Sequence, residues 1–313
     1  MRKRALGRTG MEVSELSVGT WGLSGDAYGP LADAEVDRVI DRALSVGVTL
    51  FDTADVYGRG DMERRLAKRL EERSWVHVAT KIGTDLESSP PRKHFDPAYL
   101  FTAYERSQER LKREVIDVLL LHNPSVQALG RSETVGFMKD LKAKGKILAW
   151  GVSAGTADQA RAAIRSEADV IELAYNIFAT ADLNDVAADI EESGVGVLAR
   201  SVLAHGLLGG QWSRDREFYP DDHRSDRWTP AELRTRVKQV DALRPLLGGA
   251  VISTRSLALR FVLANQLVST AVLGPRSVGQ LDQLVRESGL PPYLRDTTMA
   301  DLSTRMKKVG VEI

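Results

Sequence analysis

The chain has 313 residues, with 43 Lys and Arg balanced by 43 Asp and Glu, and it contains no cysteine. The absence of cysteine excludes disulfides, thiolate metal sites and cysteine nucleophiles, and no metal site is predicted. The zero net charge gives no reason to expect nucleic acid or an anionic membrane as partner. No apolar segment reaches the roughly 18 residues of a membrane span, and none follows the basic N-terminus as in a signal peptide, so we expect a cytoplasmic protein.

Eight short apolar segments are predicted as strands. Several are continuous apolar runs, which are typical of strands buried on both faces of a parallel sheet. In chain order the predicted strands span residues 17–20, 48–51, 75–79, 115–121, 147–152, 170–174, 195–199 and 270–273.

Helical patterns alternate with these strands. The clearest starts are Asp96 before a proline, Thr156 with Gln159, and Thr229 with Glu232, which are helix-capping patterns. The predicted helices span residues 36–44, 64–72, 96–112, 137–144, 156–165, 183–192, 229–247, 278–286 and 299–309.

The alternation predicts a (β/α)8 barrel, or TIM barrel, formed by a single domain of residues 1–313. Residues 2–14 are expected to form an N-terminal β-hairpin across the barrel bottom, and residues 299–309 a C-terminal helix. A doubly wound fold would need a Gly-rich fingerprint after its first strand, and the turn at residues 19–22 matches it poorly. Residues 211–228 contain four aromatic side chains and no periodicity; we expect either a mobile flap or a loop packed on the rim.

A titratable side chain appears where three successive apolar runs stop. Asp52, Lys81 and His122 end predicted strands two, three and four, and Tyr57 follows on the loop after Asp52. In these barrels the active site forms at the carboxyl ends of the strands. A lone Asp there is more often a turn or cap residue, and a lone His can be a core residue, but the joint pattern favours catalysis.

These four residues suit proton-coupled reduction of a carbonyl group. A free Tyr has a pKa of about 10, and a nearby ammonium such as Lys81 stabilises the phenolate and eases proton loss. Asp52 would hold Lys81, and His122 would orient the carbonyl oxygen. We therefore expect the pKa of Tyr57 to be lowered.

A candidate phosphate site follows the last strand. Residues 273–277 run from a strand into a helix start, where barrel enzymes often bind phosphate. The planar guanidinium of Arg276 is suited to an adenosine 2′-phosphate. This favours NADPH over NADH, although Arg276 could also be an ordinary surface residue.

The chain resembles the aldo-keto reductases, and the resemblance covers nearly the whole sequence in order. The matching segments are Gly19-Thr-Trp21, Phe51-Asp-Thr-Ala-Asp-Val-Tyr-Gly58, Ala79-Thr-Lys81, Asp117-Val-Leu-Leu-Leu-His122, Gly151-Val-Ser153, Tyr175-Asn176, Gly206-Leu-Leu-Gly209 and Gly274-Pro-Arg-Ser277. The resemblance implies NAD(P)H-dependent carbonyl reduction on a (β/α)8 barrel. It implies that Tyr57 is the acid and that Asp52, Lys81 and His122 support it.

The resemblance also implies a set of binding residues. Substrate would contact Trp21, Tyr57 and His122. The cofactor would contact Gly19, Thr20, Trp21, Asp52, Ser153, Glu172, Arg200, Ser201, Leu203, Gly206, Gly274, Arg276, Ser277 and Gln280.

Four positions differ from the residues common in this family. Ala154 replaces the Asn that binds the nicotinamide carboxamide, and Glu172 replaces a Gln, whose amide could donate where a carboxylate cannot. Arg200 replaces the Tyr that stacks on the nicotinamide; a guanidinium can also stack on a flat ring. Leu284 stands where many relatives have Asn.

The prediction is therefore an NADPH-dependent oxidoreductase, of the alcohol dehydrogenase (NADP) type, that reduces an aldehyde or ketone, including sugars, to an alcohol. One alternative is a cofactor-binding regulatory subunit of the same fold with little turnover, like the potassium-channel beta subunits. Another is a barrel lyase or isomerase acting on a phosphorylated substrate, which would explain Arg276 but leave Tyr57 and Lys81 without a role. The oligomeric state and the carbonyl substrate are left open by the sequence.

Overall fold

The computed structural model describes residues 1–71 and 73–313 and contains a closed barrel of eight parallel strands. Around the barrel each strand pairs with its neighbours in parallel, and the first barrel strand closes the ring against the last. The barrel strands are β3 (Leu16–Gly19), β4 (Leu50–Asp52), β5 (His77–Ile82), β8 (Ile116–His122), β9 (Ile147–Ser153), β10 (Val170–Ala174), β11 (Gly196–Arg200) and β12 (Thr270–Leu273). The predicted (β/α)8 barrel is confirmed.

Helices surround the barrel and occupy the connections between its strands. The α-helices are α1 (Asp33–Ser45), α2 (Asp61–Leu70), α3 (Pro97–Leu111), α4 (Val126–Leu129), α5 (Ser132–Ala143), α6 (Ala157–Arg165), α7 (Ala181–Asp185), α8 (Ala187–Ser193), α9 (Pro230–Asp241), α10 (Thr254–Ala264), α11 (Val278–Ser288) and α12 (Asp296–Lys308). The predicted end of the second helix, Glu72, lies outside the described residues. None of the described helices is long and apolar enough to cross a membrane.

The strands bury side chains on both faces, which explains their continuous apolar sequences. On β8, Val118 and Leu120 point into the barrel, whereas Leu119 and Leu121 pack against the outer helices. Alternate residues of a strand face opposite sides, so each strand needs apolar residues at nearly every position. The molecule therefore has an inner core within the barrel and a larger outer core beneath the helices.

The N-terminal hairpin closes the barrel bottom, as predicted. It consists of β1 (Lys3–Ala5) and β2 (Glu12–Ser14), and its Leu6, Met11 and Val13 belong to the inner core. Gly7 has a φ of 51°, and a Cβ on it would lie 2.2 Å from the Gly196 nitrogen. This close approach seats the hairpin against β11. Two further short strands, β6 (Thr84–Asp85) and β7 (Arg92–Lys93), form a hairpin after β5.

Several predicted helix boundaries were wrong. The helix predicted over 183–192 is two helices, α7 and α8, and the helix predicted from 137 already begins at Ser132. The helix predicted over 229–247 ends at Asp241, and Arg244–Leu246 forms a separate 3-10 turn that contains Pro245. Proline cannot donate the backbone hydrogen bond that an α-helix requires, so it interrupts the continuation.

The helix α10 was not predicted from the sequence. Most of its residues are buried, including Leu257, Leu259, Phe261 and Val262. A helix that is buried on nearly all sides lacks the one-sided periodicity by which amphipathic helices are recognised.

The predicted helix caps are confirmed at Thr229 and Thr156 but not at Asp96. Thr229 and Glu232 form the predicted reciprocal capping box, and the Thr156 side chain accepts from the Gln159 nitrogen. Gln159 itself accepts from Gly155 instead of completing a box. Asp96 precedes α3, but its side chain makes no capping bond and instead contacts His94 and Arg131.

Candidate active site

The four predicted catalytic residues meet at the carboxyl end of the barrel. Asp52 and His122 are the last residues of β4 and β8, Lys81 lies near the end of β5, and Tyr57 begins a turn after β4. The register sets these positions at nearby levels, since Asp52 pairs with Ala79 and Lys81 pairs with Leu120.

A sharp turn presents Tyr57. The three residues that follow it, Gly58, Arg59 and Gly60, all have positive φ values, of 57°, 51° and 88°. Two of the three are glycine, which adopts this conformation without steric cost. The Gly58 nitrogen donates to Asp26 Oδ2 at 2.6 Å, which anchors the turn to the loop after β3.

Lys81 is buried between two carboxylates. Its Nζ donates to Asp52 Oδ1 and, at 3.1 Å, to the Thr53 carbonyl oxygen. The Glu172 Oε2 atom lies 3.4 Å from the same nitrogen but makes no hydrogen bond. Although burial opposes it, the charges of Asp52 and Glu172 raise the pKa of Lys81 above its ordinary value, so the side chain is an ammonium ion.

Asp52 is buried as deeply as its partner. Burial, together with the charge of Glu172, raises the pKa of Asp52 to about 7, and Lys81 only partly opposes the shift. Two carboxylates therefore share one ammonium in a site nearly closed to water.

Tyr57 lies beside this ion pair, but its pKa moves in the direction opposite to our expectation. The Lys81 Nζ is 5.4 Å from the centre of the Tyr57 ring and does favour the phenolate. Burial is the larger effect, and the charges of Asp52 and Glu172 add to it, so the net pKa is raised above the ordinary 10.0. The expected net lowering was wrong because the sequence does not reveal how deeply the hydroxyl is buried.

His122 stands edge-on to Tyr57. The centres of their rings are 6.1 Å apart, with the planes at 89°. Burial, with the charges of Lys93, Lys81 and Arg200, lowers the pKa of His122 well below 6.5, so the imidazole is neutral. Its Nδ1 is buried without a hydrogen-bond partner. The ring lines the cavity, and a neutral imidazole carries a hydrogen on one of its nitrogens that can be donated to a ligand oxygen.

These side chains border a cavity of about 1100 Å³. Ligand pockets are commonly about 300–1,000 Å³, so this one has room for a large ligand together with a small one. The predicted residues that line it are Gly19, Trp21, Asp52, Tyr57, His122, Ser153, Glu172, Arg200, Ser201, Leu203, Gly206, Gly274, Arg276 and Gln280. Three predicted residues are not on the wall: Lys81 lies behind Asp52, Thr20 bonds Thr53 in the interior, and Ser277 caps α11.

The far end of the cavity is rich in arginine. Arg216, Arg224, Arg255 and Arg276 all line the cavity; Arg276 lies just before the start of α11, and Arg255 pairs with Glu287 near its end. This donor set, with the open space over Gly274, fits the phosphates of a nicotinamide dinucleotide. The residues present therefore suit the cofactor that the sequence analysis implied.

Arg276 already has protein partners. Its guanidinium donates to the carbonyl oxygens of Tyr28 at 2.5 Å, Gly29 at 2.8 Å and Pro30 at 3.2 Å, while Nε is buried and unpaired. Gln280 Oε1 accepts a hydrogen bond from the backbone nitrogen of Arg276 at 2.8 Å. Arg276 thus holds the turn after β3 against the start of α11.

Three of the four family-atypical residues, Ala154, Glu172 and Arg200, lie together at the ends of β9, β10 and β11. Arg200 donates from Nη2 to the Ala154 carbonyl oxygen at 3.0 Å. The ends of β8, β9 and β10 align His122 with Ser153 and Ser153 with Glu172. Arg200, Ser153 and Glu172 thus line the same part of the cavity.

Residues 211–228 pack on the rim through their aromatic side chains. Trp212, Phe218 and Trp228 contact one another and the outer core. The Arg224 guanidinium lies 4.7 Å from the Phe218 ring centre and 4.7 Å from that of Tyr28, and it pairs with Asp222. The segment joins the two sides of the cavity mouth in this conformation.

Several residues of the cavity wall were not predicted from the sequence: Tyr28, Asn123, His205 and Arg227. His223, which was not predicted either, packs at an angle against Trp21 and Tyr28, with ring centres 4.7 Å and 4.8 Å apart. Burial, followed by nearby arginines and His223, lowers the pKa of His205 to about 3, so it is neutral. The many His, Arg and Trp residues that follow β11 in the sequence could have indicated that this segment contributes to the site.

Comparison with known proteins agrees with this geometry. The family model described as "Aldo/keto reductase family" matches residues 15–297. The aldo-keto reductase YhdN of Bacillus subtilis is 30% identical over 300 residues, covering 92% of this chain and 89% of that protein. The NADH-specific methylglyoxal reductase of Escherichia coli is 29% identical over 307 residues, covering 91% of this chain and 93% of that protein.

The fold is also that of a solved relative. The glycerol dehydrogenase of Gluconobacter oxydans superimposes with a TM-score of 0.86 at 28% identity, over 98% of this chain and 96% of that one. These relatives carry enzyme names, and none of them supports a regulatory subunit. The chain therefore belongs to the aldo/keto reductase family, oxidoreductases that act on small carbonyl compounds with a nicotinamide cofactor.

Proposed function

We propose that the chain, acting as one domain of residues 1–313, reduces an aldehyde or ketone to an alcohol with NADPH. The observation that carries this is the convergence of Lys81, Tyr57 and His122, with separations of 5.4 and 6.1 Å, beside one cavity. In the reaction the carbonyl carbon gains a hydride and the oxygen gains a proton. A bound nicotinamide supplies the hydride, and the chain supplies the proton and stabilises the oxygen.

Tyr57 is the proposed proton donor. Its raised pKa keeps the hydroxyl protonated at neutral pH, so the proton is present when substrate binds. When the proton leaves, the phenolate forms beside the buried Lys81 ammonium, and the attraction between them is strong where water is excluded. Asp52 keeps Lys81 at this position.

His122 is the proposed partner of the carbonyl oxygen. Because its imidazole is neutral, one ring nitrogen carries a hydrogen and can donate it to that oxygen. Trp21 provides an apolar wall on the same side of the cavity, so we propose that Trp21, Tyr57 and His122 bind the substrate.

The proposed cofactor extends from His122 to the start of α11. Arg200, Ser153 and Glu172 would hold the nicotinamide end, with Gly19, Trp21 and Asp52 beside it and Thr20 acting from behind the wall through its bond to Thr53. Ser201, Leu203 and Gly206 would bind the pyrophosphate. Gly274, Arg276 and Gln280 would hold the adenosine end, and Ser277 would support them as the cap of α11. The arginines at that end favour NADPH, because a 2′-phosphate adds negative charge that a guanidinium binds well. The named preference of the Escherichia coli relative for NADH makes this the choice to measure.

The proposed substrates are small polar carbonyl compounds, including sugars. Two relatives are named for methylglyoxal and glycerol, which are small and polar. Polar side chains such as Asp26, Arg59 and Asn123 border the cavity near Tyr57 and can bind hydroxyl groups of such molecules.

A carbonyl panel tests the proposal. Purified protein is mixed with NADPH or NADH and with methylglyoxal, glyceraldehyde, dihydroxyacetone or benzaldehyde, and the loss of reduced-nicotinamide absorbance is followed. We expect turnover with at least one small polar carbonyl and faster turnover with NADPH. Tight NADPH binding without oxidation by any carbonyl would contradict the proposed activity, and faster turnover with NADH would contradict the cofactor choice.

A further inference from the structure

The Lys81 ammonium lies between carboxylates from opposite sides of the barrel. Asp52 ends β4, whereas Glu172 lies on β10, four strands away around the ring. The Lys81 Nζ contacts Asp52 Oδ1 and is 3.4 Å from Glu172 Oε2, and each of these three side chains is at most 5% exposed. The group spans the barrel at the cavity wall, which Asp52 and Glu172 line while Lys81 lies behind them.

This group has one more acid than base. The other titratable or charged side chains that face it are Tyr57, His122 and Arg200. The first two are neutral. The Arg200 guanidinium keeps its charge while it bonds the Ala154 carbonyl oxygen, and that charge lowers the pKa of Asp52 by less than burial and Glu172 raise it. Ionising both carboxylates would leave the Asp52–Lys81–Glu172 group with a net negative charge in a nearly dry site, which is costly.

A bound proton relieves that cost. The pKa of Asp52 is raised to about 7 by burial and by the charge of Glu172, which places proton binding near neutral pH. The Glu172 Oε2 atom lies 3.4 Å from the Lys81 nitrogen, is buried and makes no hydrogen bond.

We propose that Glu172 makes the Asp52–Lys81–Glu172 group a proton store, which holds one proton beyond the ion pair and returns it through Lys81 to Tyr57 after each reduction. This inference rests on the proposed function, because it assigns the source of the proton that replaces the one Tyr57 donates to the carbonyl oxygen. It gives Glu172 a role apart from any contact with the cofactor.

The proton balance closes without any further reactant. The Tyr57 phenolate takes a proton from the Lys81 ammonium, so an O–H bond forms and an N–H bond breaks. The neutral Lys81 amine then takes the proton from the carboxylic acid of the group, which leaves both Asp52 and Glu172 as carboxylates. Solvent protons entering from the cavity refill the group, and no electrons move in any of these transfers.

The variant Glu172→Gln tests the store, because it keeps the shape of the side chain but cannot carry the charge or the acid proton. In the wild type we expect kcat to fall as pH rises through the neutral range. At about pH 6 we expect the kcat of Glu172→Gln to be on the order of tenfold below that of the wild type, since one pKa unit changes the ratio of protonated to ionised carboxyl tenfold. At about pH 9 the wild-type group has lost its extra proton, so the two kcat values should approach each other. A constant ratio of the two kcat values at every pH would overturn the proposal.

A second measurement needs neither substrate nor cofactor. A carboxyl whose folded-state pKa is raised binds more protons in the folded chain than in the unfolded chain, so stability declines as pH rises from about 4 to about 7. Urea unfolding should show a shallower decline for Glu172→Gln than for the wild type. An equally steep decline in both would also overturn the proposal.

Two matched variants complete the design. Glu172→Asp keeps a carboxyl and should retain the neutral-pH step in kcat, which a purely steric role would not require. Glu15→Gln changes a buried glutamate at the opposite end of the barrel and should leave the pH profile of kcat as in the wild type. If Glu172→Gln weakens NADPH binding but leaves the pH profile unchanged, Glu172 is only a cofactor ligand. Carbonyl reduction that depends on Tyr57 would in that case still support the proposed function.

Discussion

Replacing Lys81 by methionine should destabilise the fold as well as abolish turnover. The side chain is 1% exposed, and its ammonium is the partner of Asp52 and the nearest cation to Glu172. Methionine fills similar space but leaves two buried carboxylates without that partner. Removing one member of a buried ion pair typically costs about 3–5 kcal/mol, and we expect a loss of this size in the free energy of unfolding.

The loss should depend on pH. Without the ammonium, the pKa of Asp52 should rise beyond its present value of about 7, because burial and Glu172 already raise it and Lys81 opposes them. The folded variant then holds protons that the unfolded chain releases, so its stability declines as pH rises from about 4 through the neutral range. The destabilisation should therefore be small near pH 5 and close to its full value near pH 8.

Urea unfolding followed by circular dichroism measures this at both pH values. Lys144→Met is a suitable control, because Lys144 is 63% exposed and pairs with Asp140, which is 55% exposed, and exposed pairs contribute about 0–1 kcal/mol. Adding Asp52→Asn and Glu172→Gln to Lys81→Met should restore most of the lost stability. A loss below about 1 kcal/mol for Lys81→Met, or an equal loss at both pH values, would refute the account of a charge-balanced interior.

Three further predictions concern the cofactor and the stability of the barrel rim. Arg276→Ala should weaken NADPH binding by about 1.5–3 kcal/mol and leave NADH binding nearly unchanged in fluorescence titrations; equal losses would mean that it acts only by holding the turn after β3. Residues 211–228 should behave as a flap, so NADPH with substrate should suppress tryptic cleavage at exposed Arg216; an unchanged digest would indicate a static rim. Burial and the charge of Glu63 raise the pKa of Asp55 to about 8, so its ionisation opposes folding increasingly as pH rises from about 4 to about 8. Asp55→Asn should thus raise the melting temperature at pH 9 but not at pH 5, and equal effects at both would exclude this origin.

The strand ends were predictable because the fold imposes two local rules on them. A strand buried on both faces must be apolar throughout, and the active site lies where it ends. The sequence changes from leucine to His122 and from phenylalanine to Asp52 at just those points. This change is visible without any knowledge of distant contacts.

The electrostatics could not be predicted in the same way, because they depend on contacts across the barrel. Nothing near Lys81 in the sequence indicates that Glu172, about 90 residues later, lies 3.4 Å from its nitrogen. Likewise, the pKa of Tyr57 depends on the balance between burial, which raises it, and the Lys81 ammonium, which lowers it. The sequence around Tyr57 shows neither the depth of burial nor the distance to that ammonium. The turn carbonyls bound by Arg276 were hidden for the same reason, since they come from the other end of the chain.

The most direct test of the central claim compares Tyr57→Phe with Tyr104→Phe. The Tyr104 hydroxyl is buried without a hydrogen-bond partner, so its removal controls for the loss of a buried oxygen. With NADPH and the best carbonyl of the panel, Tyr57→Phe should lower kcat by about 10²–10⁴-fold, because only the proton donor is lost. Its NADPH affinity should match that of Tyr104→Phe, which should turn over like the wild type. Full turnover by Tyr57→Phe would contradict the assignment of Tyr57 as the acid.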